Sequence, residues 1–369
     1  MAPGQWKVSA NAYKAPIVDC MNPSQKVRIL VDTWYTAVLP ECDSLENEIQ
    51  RRFGRRIARL ASSFSLIRGM LGWWIARDYD LVAMISGWPG TRWLIFLTAW
   101  LGGVRRRKFI LLEFISCPER VLNQMVFSVW FPLIYRPAIR RSLVAAQVMC
   151  PIEPEYYSRL FGLPASLFHV IPLPLLIEER VQERSYSESE NMVFASARGI
   201  ADWETLFRAA QGANWNLSVV CAKCDLKRVN RLNKDGLAKV QSLVSVAEHA
   251  RMMAGAAVYV LPLPPRAVSC GQLRIRDAIS AGTPLVCTRL AGVEGYAIHN
   301  QTASTIEVGD YAALRRAVDK LLYDLEWRRT LAFRARDVAR TRTGAWFAQA
   351  IREFVYSVAM DAKAKTKSA

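Results

Sequence analysis

Apolar runs of strand length alternate with amphipathic, helix-length stretches along most of the chain, and the alternation occurs twice. In the first half, "VRILVDTWY" (Val27–Tyr35), "YDLVAMIS" (Tyr79–Ser86), "RRRKFILLEFI", "QVMC" and "LFHVIPLPL" read as strands from their β-branched, apolar content and sharp boundaries. Between them lie "SLENEIQRRFGRRIARLASSFSLIRGMLGWWIA", read as one long amphipathic helical region, the short apolar helix "TRWLIFLTAWLGG", and "EPEYYSRLFGLP", a helix closing at Gly162. The pattern then restarts with the strands "MVFAS" (Met192–Ser196), "NLSVVCA", "KVQSLV", "AVYVLPL", "PLVCT" and "ASTIEV", with helical stretches between them and after them. Strands that are apolar throughout, each followed by a helix, belong in parallel sheets covered on both faces. The expected fold class is α/β, with two doubly wound sheets facing across a cleft and ligands bound at the carboxyl ends of the strands.

A chain of 369 residues is too long for one ordinary core, and composition sets the boundaries. Residues 1–26 read as an irregular arm and 27–175 as an N-terminal domain. Residues 176–190 read as a linker, from the polar, charged stretch "IEERVQERSYSESEN". Residues 191–345 form the C-terminal domain, 346–362 a final helix crossing back to the N-terminal domain, and 363–369 a basic tail.

The net charge of +17 calls for an acidic partner: nucleic acid, a phosphate-bearing small molecule or an anionic membrane face. The excess is spread over both halves, and neither interleaved aromatic–basic strands nor a helix-turn-helix is present, so a nucleic-acid partner is not expected. Cys221 and Cys224 have no second pair and no ligand-spaced His nearby, so no metal is expected. The first 25 residues hold no apolar signal region, and no apolar run reaches the ~20 residues of a membrane-spanning helix. A cytoplasmic location is therefore expected. "LIRGMLGWWIA", "TRWLIFLTAWLGGVRRRK" and "VFSVWFPLIYRPAIRR" set Trp, Phe and Leu beside Arg and Lys. That pattern suits helices covering a sheet, and it also suits peripheral contact with the anionic inner face of the cytoplasmic membrane.

The stretch "VSCGQLRIRDAISAGTPLVCT" (Val268–Thr288) carries the chemistry. Small residues follow the strand "AVYVLPL" and its Pro-rich turn, and a helix then buries Ile275, Ala278 and Ile279 and stops at Gly282. Its free amides and positive dipole end suit a phosphate. Asp277, about two turns further in, can accept hydrogen bonds from two vicinal hydroxyls such as those of a ribose. An ordinary βαβ unit, with Ser269 as cap and Asp277 paired to Arg274 or Arg276, reads equally well from these residues alone.

The longer run from "HARMMAGAAVYVLPLPPRAVSCGQLRIRDAISAGTPLVCT" to "VGDYAALRRAVDKLLYD" resembles the C-terminal domain of the GT-B glycosyltransferases of family 4, the glycosyl transferases group 1. The hallmark there is two Glu eight apart followed by Ala-x-x-x-Gly-x-Pro. Here those places hold Ser269 and Asp277, then Ala278, Gly282 and Pro284, which marks a divergent member. "SARGIADWETLFRAA" and "CPIEPEYYSRLFGLPASLFHVIPLPL" extend the resemblance over about residues 145–345. It implies two Rossmann-like domains, a nucleotide-sugar donor, a glycan or lipid-linked acceptor, retention of configuration, and no cofactor or metal.

Carried onto this sequence, the resemblance makes Asp277 the ribose ligand and puts Ser269 and Cys270 beside the transferred sugar and phosphates. The amides of Gly271, Gln272 and Leu273 meet the distal phosphate. Arg198 matches the Arg of the diphosphate clamp, Lys223 stands in for its Lys, and Val244, within Leu243–Ser245, lies where the base stacks. Ser269 cannot hold a developing positive charge as a Glu would. Glu113, at the end of "FILLEF", is placed to bind the acceptor hydroxyl or take its proton; a carboxylate paired with Arg105–Lys108 or Arg120 fits it as well. His169, His249 and His299 do not occupy the place of the sugar-facing His of many family members. Two alternatives remain: a catalytically impaired member serving as partner in a glycan assembly complex, and a sugar-nucleotide epimerase or hydrolase.

Overall fold

The computed structural model describes residues 27–87, 90–101, 108–116, 129–176 and 191–367. The expected arm, Arg105–Arg107 at the start of "RRRKFILLEFI", residues 177–190 of the expected linker and the last residues of the tail lie outside them. Two compact units emerge. The first comprises residues up to Met149, Glu153–Pro172 and the chain from Ala348 onward, and the second comprises Cys150–Ile152 and Leu173–Phe347.

In the first unit, β1 (Ile29–Val31), β2 (Asp43–Ser44), α1 (Leu45–Ser63), α2 (Ser65–Ala76), β3 (Leu81–Ile85), α3 (Thr91–Leu101), β4 (Phe109–Leu112), α4 (Arg136–Ser142), β5 (Leu143–Val148), α5 (Glu153–Phe161) and β6 (Phe168–Val170) follow one another. The sheet is six-stranded, in the order β2-β1-β3-β4-β5-β6, and its pairings are parallel. The single helical region expected after β2 is two helices. Gly54 breaks the first internally with φ 82°, and extended Phe64 separates α1 from α2. β5 begins upstream of the expected "QVMC", because α4 ends at Ser142 and Leu143 is already extended.

The second unit contains β7 (Met192–Ser196), α6 (Trp203–Ala210), β8 (Asn216–Cys221), α7 (Leu226–Leu232), β9 (Ala238–Ser242), α8 (Val246–Gly255), β10 (Val258–Leu261), α9 (Gln272–Ala281), β11 (Leu285–Thr288), β12 (Ser304–Ile306), α10 (Tyr311–Tyr323) and α11 (Leu325–Ala339). Its six strands are also parallel, in the order β12-β11-β10-β7-β8-β9. α12 (Gly344–Lys367) starts in this unit. From Ala348 it belongs to the first, where Arg352 Nε donates to the Val38 carbonyl at 2.7 Å.

Burial explains the strand sequences. Val193, Ala195, Val219, Val258, Val260 and Val286 are buried in one cluster with Trp203, Leu206 and Leu314 from the covering helices. Each fully buried aliphatic side chain contributes roughly 1.5–3 kcal/mol. The Pro-rich turn after β10 keeps its backbone satisfied: Asp202 N donates to the Pro262 carbonyl at 2.9 Å, and Leu263 N donates to Thr288 Oγ1 at 2.8 Å.

Candidate functional site

Along one edge of the second sheet, the carboxyl ends of β10, β7, β8 and β9 come in that order. α9 follows β10, exposed Arg198 follows β7, exposed Lys223 follows β8, and Leu243–Ser245 follow β9. The topology thus brings the predicted donor-side groups to one edge, as a doubly wound sheet requires.

α9 begins differently from its neighbours. α6, α8, α10 and α11 are capped by the side chains of Asp202, Ser245, Asp310 and Asp324, each accepting from an amide two residues inside the helix. α9 starts at Gly271, which is left-handed (φ 79°, ψ −8°) and makes no side-chain capping bond. Its first backbone bonds run from Arg274 and Ile275 to the Gly271 carbonyl, at 2.9 and 3.0 Å. The amides of Gly271, Gln272 and Leu273 donate to none of the described residues, leaving an open row of donors. Ser269 is therefore not the cap.

Ser269 turns inward instead. It is buried, and its hydroxyl donates to Cys150 Sγ at 3.1 Å. Gln272, also buried, reaches the same sulfur with Nε2 at 3.5 Å and donates to the Gly292 carbonyl. The Cys150 thiol in turn donates to the Gly292 carbonyl at 2.9 Å. Cys270 is buried as well. Beneath the open amides there is thus a closed polar knot centred on a thiol, which the sequence reading did not single out. The only signal for it was Cys150 opening the segment "CPIEPEYYSRLFGLP".

Asp277 is held by two arginines: Arg276 Nη2 lies 3.0 Å from Oδ1, and Arg274 Nη1 lies 3.4 Å from Oδ2. The pairing expected of an ordinary βαβ unit is therefore present. Arg274 also reaches His249 Nδ1 at 3.3 Å. His249 is buried on α8, and its Nε2 lies 2.8 Å from Ser196 Oγ at the end of β7. Burial pushes the His249 imidazole down to about 4, helped by Arg274 and Arg198 and opposed by Asp277. His249, Arg274 and Asp277 are accordingly neighbours. Sequence reading noticed His249 only as absent from another place. Its spacing of four from Met253, the other buried side chain of α8, was the available sign that it points inward.

At the end of β9, Leu243 is left-handed (φ 62°) and half exposed. A surface cavity there is lined by Gln241–Ser245, including Val244, and by Glu248. Non-glycine residues adopt this conformation only when the surroundings impose it.

In the first unit Glu113 caps β4, again with positive φ (46°). The Tyr35 hydroxyl donates to its Oε1 at 3.1 Å, and its own amide donates to Gln147 Oε1 at 2.5 Å. Ser86 Oγ donates to its carbonyl at 3.0 Å. Of the expected cationic partners, Lys108 directs Nζ to the Ala76 carbonyl at 2.6 Å; Arg105, Arg106, Arg107 and Arg120 lie outside the described residues. Asp32, at the end of β1, is fully buried and its carboxyl is pushed up to about 7. Burial is the main cause, opposed by Arg68 at 3.1 Å and by the Ile85 amide at 2.7 Å.

Residues 200–324 match the family model described as Glycosyl transferases group 1. No curated protein matches the sequence. Among solved structures, HepE of Anabaena in complex with UDP-glucose is 16% identical, with a TM-score of 0.65 over 90% of this chain and 100% of its own. The sucrose-phosphate synthase of Thermosynechococcus elongatus is 17% identical, with a TM-score of 0.58 over 76% of this chain and 74% of its own. WaaG, a glycosyltransferase involved in lipopolysaccharide biosynthesis, is 13% identical, with a TM-score of 0.57 over 78% of this chain and 81% of its own. The two-domain α/β fold is thus that of the GT-B glycosyltransferase structures, as the resemblance implied.

Proposed function

We propose that the chain is a retaining glycosyltransferase that moves a sugar from a nucleotide-sugar donor to a glycan or lipid-linked acceptor in glycoconjugate or polysaccharide synthesis. The observation that carries the reading is a coincidence. The stretch matching the glycosyl transferase model contains α9, and α9 presents uncapped amides on the sheet edge that also bears Arg198 and Lys223. HepE, of similar fold, was solved with UDP and with UDP-glucose, which makes a uridine nucleotide the first donor to test.

In this reading the diphosphate docks on the amides of Gly271, Gln272 and Leu273. As it departs it gains negative charge, and preorganised donors with Arg198 and Lys223 stabilise that charge where it develops. Asp277 accepts the ribose hydroxyls while Arg274 and Arg276 fix its rotamer. The base occupies the cavity lined by Val244. The acceptor hydroxyl attacks from the face the diphosphate leaves, so configuration is kept. The first unit takes the acceptor, with Glu113 binding its hydroxyl or removing the proton. Since the leaving-group charge is assigned to protein donors, the reading expects nucleotide binding to survive excess EDTA.

The test is a thermal-shift panel of UDP, GDP, ADP and CDP with their glucose conjugates. One nucleoside diphosphate should raise the melting temperature, and Asp277→Ala should clearly reduce the rise. No shift with any of them would overturn the reading. One observation favours a second reading, a catalytically impaired partner in a glycan assembly complex: Ser269 stands where the family has an acid, and its hydroxyl is engaged by Cys150. Donor hydrolysis by the purified protein, lost in Asp277→Ala, would exclude it.

A further inference from the structure

α2 and α3 pack against one another so closely that a Cβ on Gly69 would collide with Cβ of Trp93. The faces they turn away from the core should then be polar. On α2 the core face is Arg68, Gly72 and Ile75, and the opposite face carries Leu66, Met70 and Trp74 at every fourth position. On α3 the core face is Leu94, Ile95 and Thr98, and the opposite face carries Trp93, Phe96 and Trp100, whose rings form a chain with centroids 6.2 and 6.4 Å apart. Leu66, Met70, Trp74, Trp93 and Trp100 are between 41% and 53% exposed, so this is an unburied apolar surface on two adjacent helices rather than scattered single residues.

Its charge is one-sided. Neither α2 nor α3 contains an Asp or Glu. Arg77 stacks over Trp73 and Trp74, with its guanidinium carbon 4.0 and 4.6 Å from the ring centroids, and Arg141 stacks over Trp100 at 4.1 Å. Arg92 is exposed on α3, and Arg55, Arg56 and Arg59 are exposed on neighbouring α1. Among the described residues none of Arg55, Arg56, Arg59, Arg77 and Arg92 forms an ion pair. By contrast Arg51, Arg52 and Arg68 of the same helices are paired with Glu48, Asp78, Asp32 and Glu46.

We infer that the α2–α3 face, with Arg77, Arg92 and the end of α1 around it, is a docking surface for an anionic phospholipid bilayer. Tryptophan and methionine enter the headgroup–acyl boundary, and the arginines meet lipid phosphates. The charge argues against a second copy of the chain as occupant. A twofold contact would set these arginines against the same arginines, with no carboxylate on either helix to answer them. No helix among the described residues is long and apolar enough to cross a membrane, so the attachment lies in the interface plane. The inference takes from the proposed function only the idea of a lipid-linked acceptor, and its test is independent of nucleotide binding.

The full chain is sedimented with vesicles of phosphatidylcholine alone and of phosphatidylcholine with about one third phosphatidylglycerol, at low and high salt. Binding should require phosphatidylglycerol and weaken in salt. Trp74→Ser with Trp93→Ser should abolish it. Arg77→Gln with Arg92→Gln should lower the partition coefficient roughly thirty-fold on the anionic vesicles. The UDP-induced melting shift, measured on the same variants, should be unchanged if the nucleotide site is intact and reports separately on that site. Absence of vesicle binding, equal binding to neutral and anionic vesicles, or concentration-dependent dimers that the Trp variants dissolve would each overturn the inference.

Discussion

Arg274 Nη1 lies 3.3 Å from His249 Nδ1, and because arginine only donates, that ring nitrogen must be the acceptor. The neutral imidazole then carries its proton on Nε2 and donates to Ser196 Oγ at 2.8 Å. Ser196 Oγ then donates to the Tyr259 hydroxyl oxygen at 3.0 Å, and the Tyr259 hydroxyl donates to the Ser196 carbonyl at 2.9 Å. One direction of donation runs from α9 through α8 to β7. Protonating Nδ1 would aim a second donor at the guanidinium, so the ring resists charge.

This fixes a pH dependence. Burial, with Arg274 adding to it, holds His249 at about 4 in the folded chain, against about 6.5 unfolded. A base with a depressed folded pKa costs stability as pH falls through its unfolded value, because the unfolded state binds the proton first. Urea melts should therefore show stability dropping between about pH 6.5 and pH 4, with a ceiling of about 3 kcal/mol from this group. His249→Gln keeps a donor to Ser196 and should remove most of that drop. An unchanged profile in the variant would mean that the ring is not buried neutral.

Asp277 supplies a prediction about the sugar of the nucleotide rather than its phosphates. Its two arginines fix the carboxylate, and the ribose hydroxyls are the expected additional donors. UDP should bind more tightly than 2′-deoxy-UDP by roughly tenfold, the range of one hydrogen bond to a charged group. In Asp277→Ala that preference should vanish in calorimetric titrations, even where residual diphosphate binding persists. A preference that survives the substitution would remove Asp277 from the ribose.

The fold was legible because parallel strands buried on both faces leave a continuous apolar record, as in "MVFAS" and "AVYVLPL". Edges were harder. β2 is two residues long, and the partly exposed edge strand β9 alternates where the central strands do not. The phosphate end of α9 was legible from its small residues, and the helix starts at Gly271, where "GQLRIRDAISAG" opens, while the alternative with Ser269 as cap is not what forms. Ser269 is the better cap by residue type, yet Gly271 takes the place because Ser269 bonds to Cys150, over a hundred residues away in sequence. The same distance hid the thiol knot, and the Arg274–His249 contact, 25 residues apart, spans two successive helices, α8 and α9. Both join segments that only the sheet order brings together.

The knot itself can be weighed. Cys150 Sγ accepts from Ser269 and Gln272 and donates to the Gly292 carbonyl, all out of water. Cys150→Ala adds no bulk and leaves buried polar groups without their partner, so it should cost about 1–3 kcal/mol in denaturant unfolding. Cys150→Ser restores both a donor and an acceptor and should recover most of that loss. If the two variants are equally stable, the thiol contributes packing and not hydrogen bonding.

Gly271 carries a steric demand at the proposed phosphate end of α9. Its φ of 79° is left-handed, and a Cβ there would meet Leu261 Cδ2 at 2.9 Å and Leu263 Cδ1 at 3.2 Å. Gly271→Ala should therefore destabilise the chain by about 1–3 kcal/mol through the dihedral and the contact together. Gly271→Asn separates the two, because asparagine tolerates the left-handed region but still brings a Cβ toward the leucines. Equal losses for Ala and Asn would assign the cost to the leucine contact; a smaller loss for Asn would assign it to the backbone. Nucleotide binding gives the decisive reading. The amides of Gly271, Gln272 and Leu273 stay uncovered only while the chain turns at this residue, so UDP affinity measured at matched folded fraction should fall in both variants. If affinity were untouched while stability fell, the diphosphate would have to bind elsewhere on the sheet edge.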